Sequence, residues 1–471
     1  MKKRDKLILD IKQANSKNNP IINREDAVSP TAPARVIVLS FLLVILVGTA
    51  LLCMPFSSVE GKFTDPLTAM FTATTSTCVT GLILVDTGSY WSFWGQLIIL
   101  LLVQIGGIGL VTFSAFFMVI FRQKLGLNGM LLTQSSVGLD SFRHLKTLLK
   151  VIVLSTLVIE SVGAALLSIR FVPMFGISEG IWRSVFTSIS AYCNAGLDLL
   201  EGDFTSLTAF SGDVLVNCTV MGLIILGGLG FLVFQDIIFY RKNDRLMLHT
   251  KVVLIATALF TLAGALMFFA FEYQNPKTLG GLPFGEKVLA SFFQSVTLRT
   301  AGFNTIDFAG LGDHTKFLSS VFMFFGAAPG STGGGVKITT FAVLLMTVVA
   351  TYRNRQETVI MGRRIDQGVV YKSMSLVAAG ILVVAALTAV IVFEDNGVEL
   401  VDALVEASSA FATVGITAGA TLKLGLLSKV LVIVTMFIGR VGTLSLIMAL
   451  TLKENQREDK IVRPKGEIMV G

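Results

Sequence analysis

The chain has 471 residues, of which 53% are hydrophobic and only 15% are charged, with a mean hydropathy of +0.76 and a formal net charge of +7. A soluble protein of this length would need far more charged residues to cover its surface. Apolar runs such as Val36–Cys53 and Val151–Ile169 approach the ~20 residues that a helix needs to cross a bilayer. The composition therefore excludes a soluble globular protein and predicts an all-α, polytopic membrane protein.

Residues 1–33 form a polar, basic N-terminal tail, which we predict to be cytoplasmic. The long polar stretch before the first apolar run does not resemble a cleavable signal peptide. Membrane lipid is the expected environment of the apolar runs. The positive net charge is then better explained by orientation in the membrane than by nucleic-acid binding.

The first repeat, residues 34–125, places a short apolar segment between two long ones. Asp65 followed by Pro66 is typical of a helix N-terminus. The segment that follows, Pro66–Ser76, has about eleven residues, enough to enter half a bilayer but not to cross it. A loop containing Gly81 comes next, and the apolar segment Gln96–Phe121 completes the unit.

The same order recurs in residues 145–243, 250–352 and 370–453, before a C-terminal tail at residues 454–471. One glycine in each loop aligns the four units. These glycines, Gly81, Gly196, Gly302 and Gly415, follow one another at intervals of 115, 106 and 113 residues. Such internal repetition predicts four units of first long helix (M1), short pore helix, glycine loop and second long helix (M2) around a central pore.

Charge predicts the orientation of these units. The connectors between units are basic, at Arg122, Lys124, Arg143, Lys146, Lys150, Arg241, Lys242, Arg245, Lys251, Arg353, Arg355, Arg363, Arg364 and Lys372. The segments beside the short helices are acidic, at Asp65, Asp86, Glu179, Asp198, Glu201, Asp203, Asp307, Asp313, Glu394, Asp395 and Glu399. By the positive-inside rule both termini are cytoplasmic and the loops enter from outside. The acidic residues form either a solvated face or an outer vestibule that concentrates cations.

The glycine loops suit cation coordination. A dehydrated cation needs oxygen ligands in place of its hydration shell, and backbone carbonyls from several loops supply them. Glycine supplies the backbone freedom, and helix C-termini that face the pathway favour positive charge. The alternative is that four re-entrant turns merely close the helix bundle, although non-helical backbone at membrane depth is tolerated mainly where it lines a cavity.

The residues before the glycines vary, which fits coordination by carbonyls and packing by side chains. The candidate ion-binding residues of this selectivity filter are Val79, Thr80, Gly81, Asn194, Ala195, Gly196, Thr300, Ala301, Gly302, Thr413, Val414 and Gly415.

The motifs VTGL, NAGL, RTAGFNT and TVGIT, each in one of four such units, resemble those of the Trk/Ktr/HKT superfamily of potassium transporters. The resemblance spans about Ala34 to Leu452 and is greatest to membrane subunits of the KtrB type, because no additional helix pair precedes the first unit. It implies a potassium-channel-like plan and potassium uptake across the plasma membrane. Potassium would bind at the filter carbonyls, with sodium as an alternative or coupled cation.

The resemblance also implies partners. It suggests a homodimer and a cytoplasmic, nucleotide-binding regulatory ring of the KtrA type. Nothing in this chain encodes a nucleotide-binding domain, so nucleotide would act only through the partner, and we expect no cofactor in the chain itself. We expect neither enzymatic activity nor a nucleic-acid partner.

Unit three differs from the others at Gly326–Lys337. One proline and five glycines make a continuous helix costly there, at roughly 1 kcal/mol for each glycine and about 3 kcal/mol for proline. The glycine spacing is similar to a phosphate-binding loop, but Val336 stands where that motif needs lysine. We predict instead a gate in the pathway, at Gly326, Pro329, Gly330, Ser331, Thr332, Gly333, Gly334, Gly335 and Lys337. The family resemblance assigns the same role. The second long segments of the other units are predicted to continue as helices.

Arg440 places a cation in an otherwise apolar segment of unit four. An intramembrane charge suggests function by default, and the alternatives are a snorkelling or a structurally paired arginine. We predict that Arg440 faces the pathway, opposes ion passage and binds carbonyls of the gate in the closed state. Arg299 and Glu406 are predicted to form structural charge pairs.

Two other functional classes remain open. A carrier working by alternating access, for sodium for example, would have two rocking repeats instead of four equivalent loops. A membrane enzyme would need a metal motif or a nucleophile constellation, and the sequence has no convincing example of either.

Overall fold

The computed structural model describes residues 31–109, 145–200, 206–238, 240, 246–395 and 397–442. The helices, numbered in chain order, are α1 Thr31–Cys53, α2 Pro66–Cys78, α3 Thr87–Tyr90, α4 Phe93–Ile108, α5 Leu145–Phe175, α6 Ile177–Cys193, α7 Val214–Leu229, α8 Phe231–Ile238, α9 Leu248–Glu272, α10 Phe284–Thr297, α11 Asp313–Phe324, α12 Ile338–Tyr352, α13 Gln367–Glu394, α14 Leu400–Ala412 and α15 Leu426–Val441. A two-stranded antiparallel ribbon, β1 Val359–Ile360 with β2 Arg363–Arg364, lies between units three and four.

Several sequence predictions fall outside the described residues. These are the N-terminal tail up to residue 30, the end of repeat one from residue 110, most of the first two basic connectors, the acidic residues Glu201 and Asp203, the end of repeat four from residue 443, and the C-terminal tail.

Four described helices are long and apolar enough to cross a membrane, and each begins one unit. They are Arg35–Cys53, Ile152–Phe175, Leu248–Glu272 and Gln367–Glu394. Only 22–33% of the most apolar window of each is buried inside the protein, so most of their apolar surface faces outward, where lipid stabilises it. The prediction of an all-α polytopic membrane protein is confirmed.

The short helices α2, α6, α10 and α14 have 13 to 17 residues and are packed inside the bundle. The start of α2 follows from its sequence, because the Asp65 carboxylate accepts the backbone N–H of Thr68 and Pro66 occupies the first turn. Three of these helices end at a residue in the left-handed region: Val79, Asn194 and Thr413. That conformation turns the chain out of the helix and into the loop.

Glycines let the second helices approach the short ones. A Cβ added at Gly106, Gly227 or Gly439 would overlap the carbonyl oxygen of Thr77, Tyr192 or Phe411, respectively. Each of these carbonyls lies near the C-terminal end of a short helix, four residues before the loop glycine. The glycine alignment of units one, two and four therefore reflects one repeated backbone contact. In unit three Gly326 instead approaches the Thr300 side chain and the Gly334 carbonyl.

The prediction that only unit three interrupts its second helix is wrong. In unit two, α7 and α8 meet at a 92° bend around Gly230, whose φ is +89°. A Cβ there would lie 2.7 Å from the Pro329 carbonyl oxygen. The interrupted segment of unit three packs against this bend, where glycine supplies both the conformation and the space. Helices α4 and α15 end at Gly109 and Gly442, and the residues beyond lie outside the described ranges.

Candidate ion pathway

The four loop glycines form a closed ring. A Cβ added at Gly81 would lie 2.6 Å from the Ala195 carbonyl oxygen of the second loop. The same relationship runs from each loop to the next and finally from the fourth back to the first. The remaining pairs are Gly196 with Ala301 at 2.7 Å, Gly302 with Val414 at 2.7 Å, and Gly415 with Thr80. A side chain at any of the four positions would displace a carbonyl of its neighbour, so the ring requires glycine throughout.

The loop amides are bonded back to the short helices. In units one, two and four the residue before the glycine donates its N–H to the carbonyl of Thr75, Ser190 or Ser409, at 2.7–2.8 Å. The hydroxyls of the same three residues accept a second loop N–H, at 2.9–3.0 Å. In unit three the corresponding residue is Thr297, which lies one residue closer to the loop glycine. Its backbone carbonyl accepts the N–H of Ala301, and its hydroxyl donates to the Phe303 carbonyl.

The hydrogen bonds to the short helices use N–H groups of the loops and leave the loop carbonyls free to bind other groups. Those of Thr80, Ala195, Ala301 and Val414 accept no hydrogen bond from the described residues. Buried carbonyls without donors are costly unless water or an ion serves them. The arrangement is thus chemically suited to a dehydrated cation.

A cavity of about 280 Å³ lies on one side of the glycine ring. Four glycines and three carboxylates are among its lining residues: Gly81, Gly196, Gly302, Gly415, Asp86, Asp198 and Asp307. Half-buried Asp198 accepts hydrogen bonds from the Ser206 hydroxyl at 2.9 Å and the Leu200 N–H at 3.1 Å. Burial raises the pKa of Asp198 to about 6, and the charge of Asp86 acts in the same direction.

The other acidic residues divide by role. Glu394 and Asp395 accept backbone N–H groups around the start of α15, and Asp213 does the same for α7. These carboxylates cap helices. Asp86 also caps a helix, α3, and it lines the cavity together with Asp198 and Asp307, which give the cavity its negative charge. Helix capping is thus a role of several acidic residues that the sequence analysis did not predict.

The interrupted segment Gly326–Lys337 lies on the opposite side of the ring from the cavity. The Gly334 N–H donates to the Thr413 hydroxyl at 3.1 Å, and the Thr332 hydroxyl donates to the Tyr192 carbonyl at 3.2 Å. A Cβ at Gly333 would overlap the Thr300 hydroxyl. The segment thus contacts the bases of loops two, three and four.

The bend in unit two also holds this segment. The N–H of Phe231 donates to the Gly330 carbonyl at 2.9 Å, and Gly228 accepts the N–H of Ala328 at 3.0 Å. Sequence reasoning missed Gly230, although three glycines among the four residues Gly227 to Gly230 were a visible signal of an interrupted helix.

Arg440 joins the interrupted segment to unit one. Its guanidinium donates to the carbonyl of Thr332 and to the carbonyls of Gly106 and Gly107. Lys337 also binds this segment, donating to the Gly333 carbonyl at 2.6 Å and approaching the Gly334 carbonyl at 3.4 Å. Two cations and a run of carbonyls thus meet directly below the glycine ring.

The predicted charge pairs of Arg299 and Glu406 are wrong. Glu406 accepts the hydroxyls of Thr417 and Thr421, at 2.8 and 2.6 Å. Arg299 approaches the Thr261 hydroxyl at 3.5 Å, and no ion pair among the described residues includes either side chain. Hydroxyls near the fourth loop satisfy Glu406, so it needs no cationic partner.

Comparison with known proteins gives concordant matches. The TrkH family profile, described as a cation transport protein, matches residues 23–460. The Ktr system potassium uptake protein B of Bacillus subtilis is 38% identical over 443 residues, covering 93% of this chain and 97% of the relative. Its counterpart in Vibrio alginolyticus is 40% identical over 424 residues, covering 89% and 91%.

A further relative, the potassium/sodium uptake protein NtpJ of Enterococcus hirae, is 36% identical over 445 residues, covering 93% of this chain and 97% of its own. Among solved structures, the potassium transporter TrkH from Vibrio parahaemolyticus superposes with a TM-score of 0.70. At 16% identity, with 91% of this chain and 86% of TrkH covered, that match concerns the fold.

Proposed function

Because the chain belongs to the TrkH family of cation transport proteins, we propose that it takes up potassium across the plasma membrane as the translocating subunit of a Ktr-like system. It is a membrane transporter and not an enzyme. The observation that carries the proposal is the closed ring of four loop glycines, with four carbonyls that accept no hydrogen bond from the part of the chain that the structure describes. Relatives named as potassium uptake proteins, 38 and 40% identical, support potassium as the ion.

Ion selection occurs at the backbone of the four loops. Potassium sheds its water on leaving the acidic cavity and exchanges it for carbonyl oxygens, as in other cation filters. The amides tied to the short helices hold the ring in place, so no reorganisation is needed when an ion arrives.

The interrupted segment acts as the gate. Its contacts with Thr413 and Arg440 close the pathway below the ring, and the positive charges of Arg440 and Lys337 oppose a cation there. Opening requires these hydrogen bonds to break.

The remaining assembly follows from the Ktr likeness and the charge pattern. We propose a homodimer with cytoplasmic termini, bound to a nucleotide-binding, KtrA-like ring. No nucleotide site is assigned to this chain; nucleotide would act only through that ring.

Sodium is a second candidate ion, because one relative is named a potassium/sodium uptake protein. Sodium could be carried alone or required for potassium uptake. The alternating-access carrier is less favoured, because four loops contribute equivalently to the ring.

The test is cation uptake in cells lacking their own potassium uptake systems, comparing wild type with Gly81→Ser. The Cβ of serine would press on the Ala195 carbonyl and open the ring, so we expect a lower ratio of potassium to sodium uptake. Gly222→Ser is the control, since an added Cβ there meets no atom within 4 Å. Equal uptake of both ions by the wild type would overturn the selective filter.

A further inference from the structure

Three side chains with oxygen atoms lie at the base of the filter, and two of them, Thr300 and Thr413, contact the gate. Asn194, Thr300 and Thr413 each lie two residues before their loop glycine, and each is fully buried. All three have positive φ, from 55° to 66°. The equivalent residue of unit one is Val79, with φ 57° and no polar atom. The backbone conformation at this position is therefore the same in all four units. Three of the units place a side-chain oxygen there, and unit one places the isopropyl group of valine.

The oxygens are only partly satisfied by protein. The Asn194 side-chain carbonyl is buried and has no donor among the described residues, and its amide approaches the Thr300 hydroxyl at 3.4 Å. The Thr413 hydroxyl accepts the N–H of Gly334 from the gate. A buried amide oxygen without a donor costs free energy unless a ligand serves it.

These residues lie between the glycine ring and the gate. The outer cavity is lined by the loop glycines and by residues after them, and none of Asn194, Thr300 and Thr413 contributes to it. The gate residues Gly333 and Gly334 approach Thr300 and Thr413 from the other side. An ion leaving the carbonyl ring therefore reaches these side chains next.

We propose that the Asn194, Thr300 and Thr413 side-chain oxygens form a separate potassium site, for which the ion and the closed gate compete. The inference rests on the proposed potassium pathway. In the closed state the Gly334 N–H occupies Thr413 and Gly333 packs on Thr300. In the open state the same oxygens are ligands for the cation. Potassium bound at this site disfavours closure, so the transported ion promotes its own passage.

The competition follows from the chemistry of a hydroxyl. Its lone pairs bind either an N–H hydrogen or a cation, and both approaches place positive charge on the same face of the oxygen. A cation also repels the partial positive charge of the Gly334 amide. Potassium that binds more tightly to the open state than to the closed state shifts the gate equilibrium toward the open state, by an amount set by the difference between the two affinities.

The chain itself provides a conservative substitution. Val79 occupies the equivalent left-handed position in unit one, so valine is tolerated in this backbone conformation. Thr300→Val and Thr413→Val remove only the hydroxyl, whereas Thr413→Ser keeps it. At Asn194, glycine removes the side chain and accepts positive φ without strain. In the opposite direction, Val79→Thr adds a fourth oxygen at nearly constant volume.

The experiment measures potassium uptake by the full-length variants in cells lacking other potassium uptake. Thr413→Val should raise the KM for potassium several-fold without lowering the saturating rate, because it removes both an ion ligand and a gate bond. Asn194→Gly should raise only KM. Thr413→Ser, which keeps the hydroxyl, should have a KM well below that of Thr413→Val. Val79→Thr should lower KM.

Unchanged KM in Thr300→Val, Thr413→Val and Asn194→Gly would overturn the side-chain site while leaving the carbonyl filter intact. A reduced saturating rate at constant KM would likewise count against it, since that is the signature of a merely structural role. Failure of the wild type to take up potassium would instead refute the proposed function.

Discussion

The Arg440 guanidinium donates to the Thr332 carbonyl, across 108 residues of sequence, and the same side chain reaches the backbone of unit one at Gly106. One basic side chain of unit four therefore joins the proposed gate of unit three to the second helix of unit one. Arg440 thus links the helices around the four loops directly to the proposed gate.

Arg440→Ala should increase potassium uptake at saturating potassium. A hydrogen bond from a charged donor contributes about 1.5–3 kcal/mol, so losing one shifts the gate equilibrium about tenfold or more. Arg440→Lys should give an intermediate rate, since a single ammonium cannot reproduce the planar fork of arginine. Uptake measured at equal protein abundance checks this, and an unchanged rate in Arg440→Ala would mean that Arg440 does not restrain the gate.

Lys337→Met should also accelerate uptake while leaving the ratio of potassium to sodium unchanged. Lys337 binds the Gly333 carbonyl at 2.6 Å but touches no filter residue by hydrogen bond. Methionine keeps most of the side-chain volume and removes the donor. A change in ion preference instead of rate would show that Lys337 acts on the filter and not on the gate.

Gly227→Ala should destabilise the protein. The added Cβ would overlap the Tyr192 carbonyl, and such overpacking typically costs about 1–3 kcal/mol. Gly222→Ala in the same helix is the matched control, because no atom lies within 4 Å of its Cβ position. Thermal unfolding of the purified proteins in detergent should give a clearly lower Tm for Gly227→Ala only. Equal Tm values would mean that helix α7 can move away from the second loop.

Acid pH should weaken potassium capture in the outer cavity. Burial, reinforced by Asp86, raises the pKa of Asp198 to about 6, so this carboxyl becomes neutral as the pH falls through 6. Its neutral form is favoured by folding, and this contribution to stability is present at low pH and lost as the pH rises from about 4 to about 6. In the folded protein, the charge that attracts cations appears as the pH rises through about 6.

Uptake measured from pH 7.5 to 5 checks this expectation. The KM for potassium should rise on acidification in the wild type and stay high and flat in Asp198→Asn. Asp86→Asn should move the step to lower pH, because it removes a neighbouring negative charge. The change of KM with pH would belong to another group if it kept its midpoint pH in Asp86→Asn or persisted in Asp198→Asn.

Local signals account for what the sequence predicted correctly. The hydropathy of the long runs identified the four membrane helices, and Asp65-Pro66 marked the start of a short helix. The loop glycines were recognisable because four copies share one pattern of neighbours. Each of these features depends on residues close together in the chain, where composition and spacing report directly on structure.

One failure concerns a contact within unit four, and the other concerns a contact between units two and three. Glu406 reads as a charge needing a countercharge, but hydroxyls of a loop 11 and 15 residues away satisfy it. The contact of Gly230 with the Pro329 carbonyl joins unit two to unit three, and the sequence of unit two does not show it.

By itself, then, the sequence determined that this is a membrane protein of four repeated units with a glycine in each loop. Only the tertiary structure decided that Gly81 meets Ala195 and Gly415 meets Thr80, so that the loops form a closed ring, and that Arg440 reaches Thr332. The physical reason is that repeats specify similar local conformations, whereas ring closure and gate contacts depend on how distant segments pack against one another.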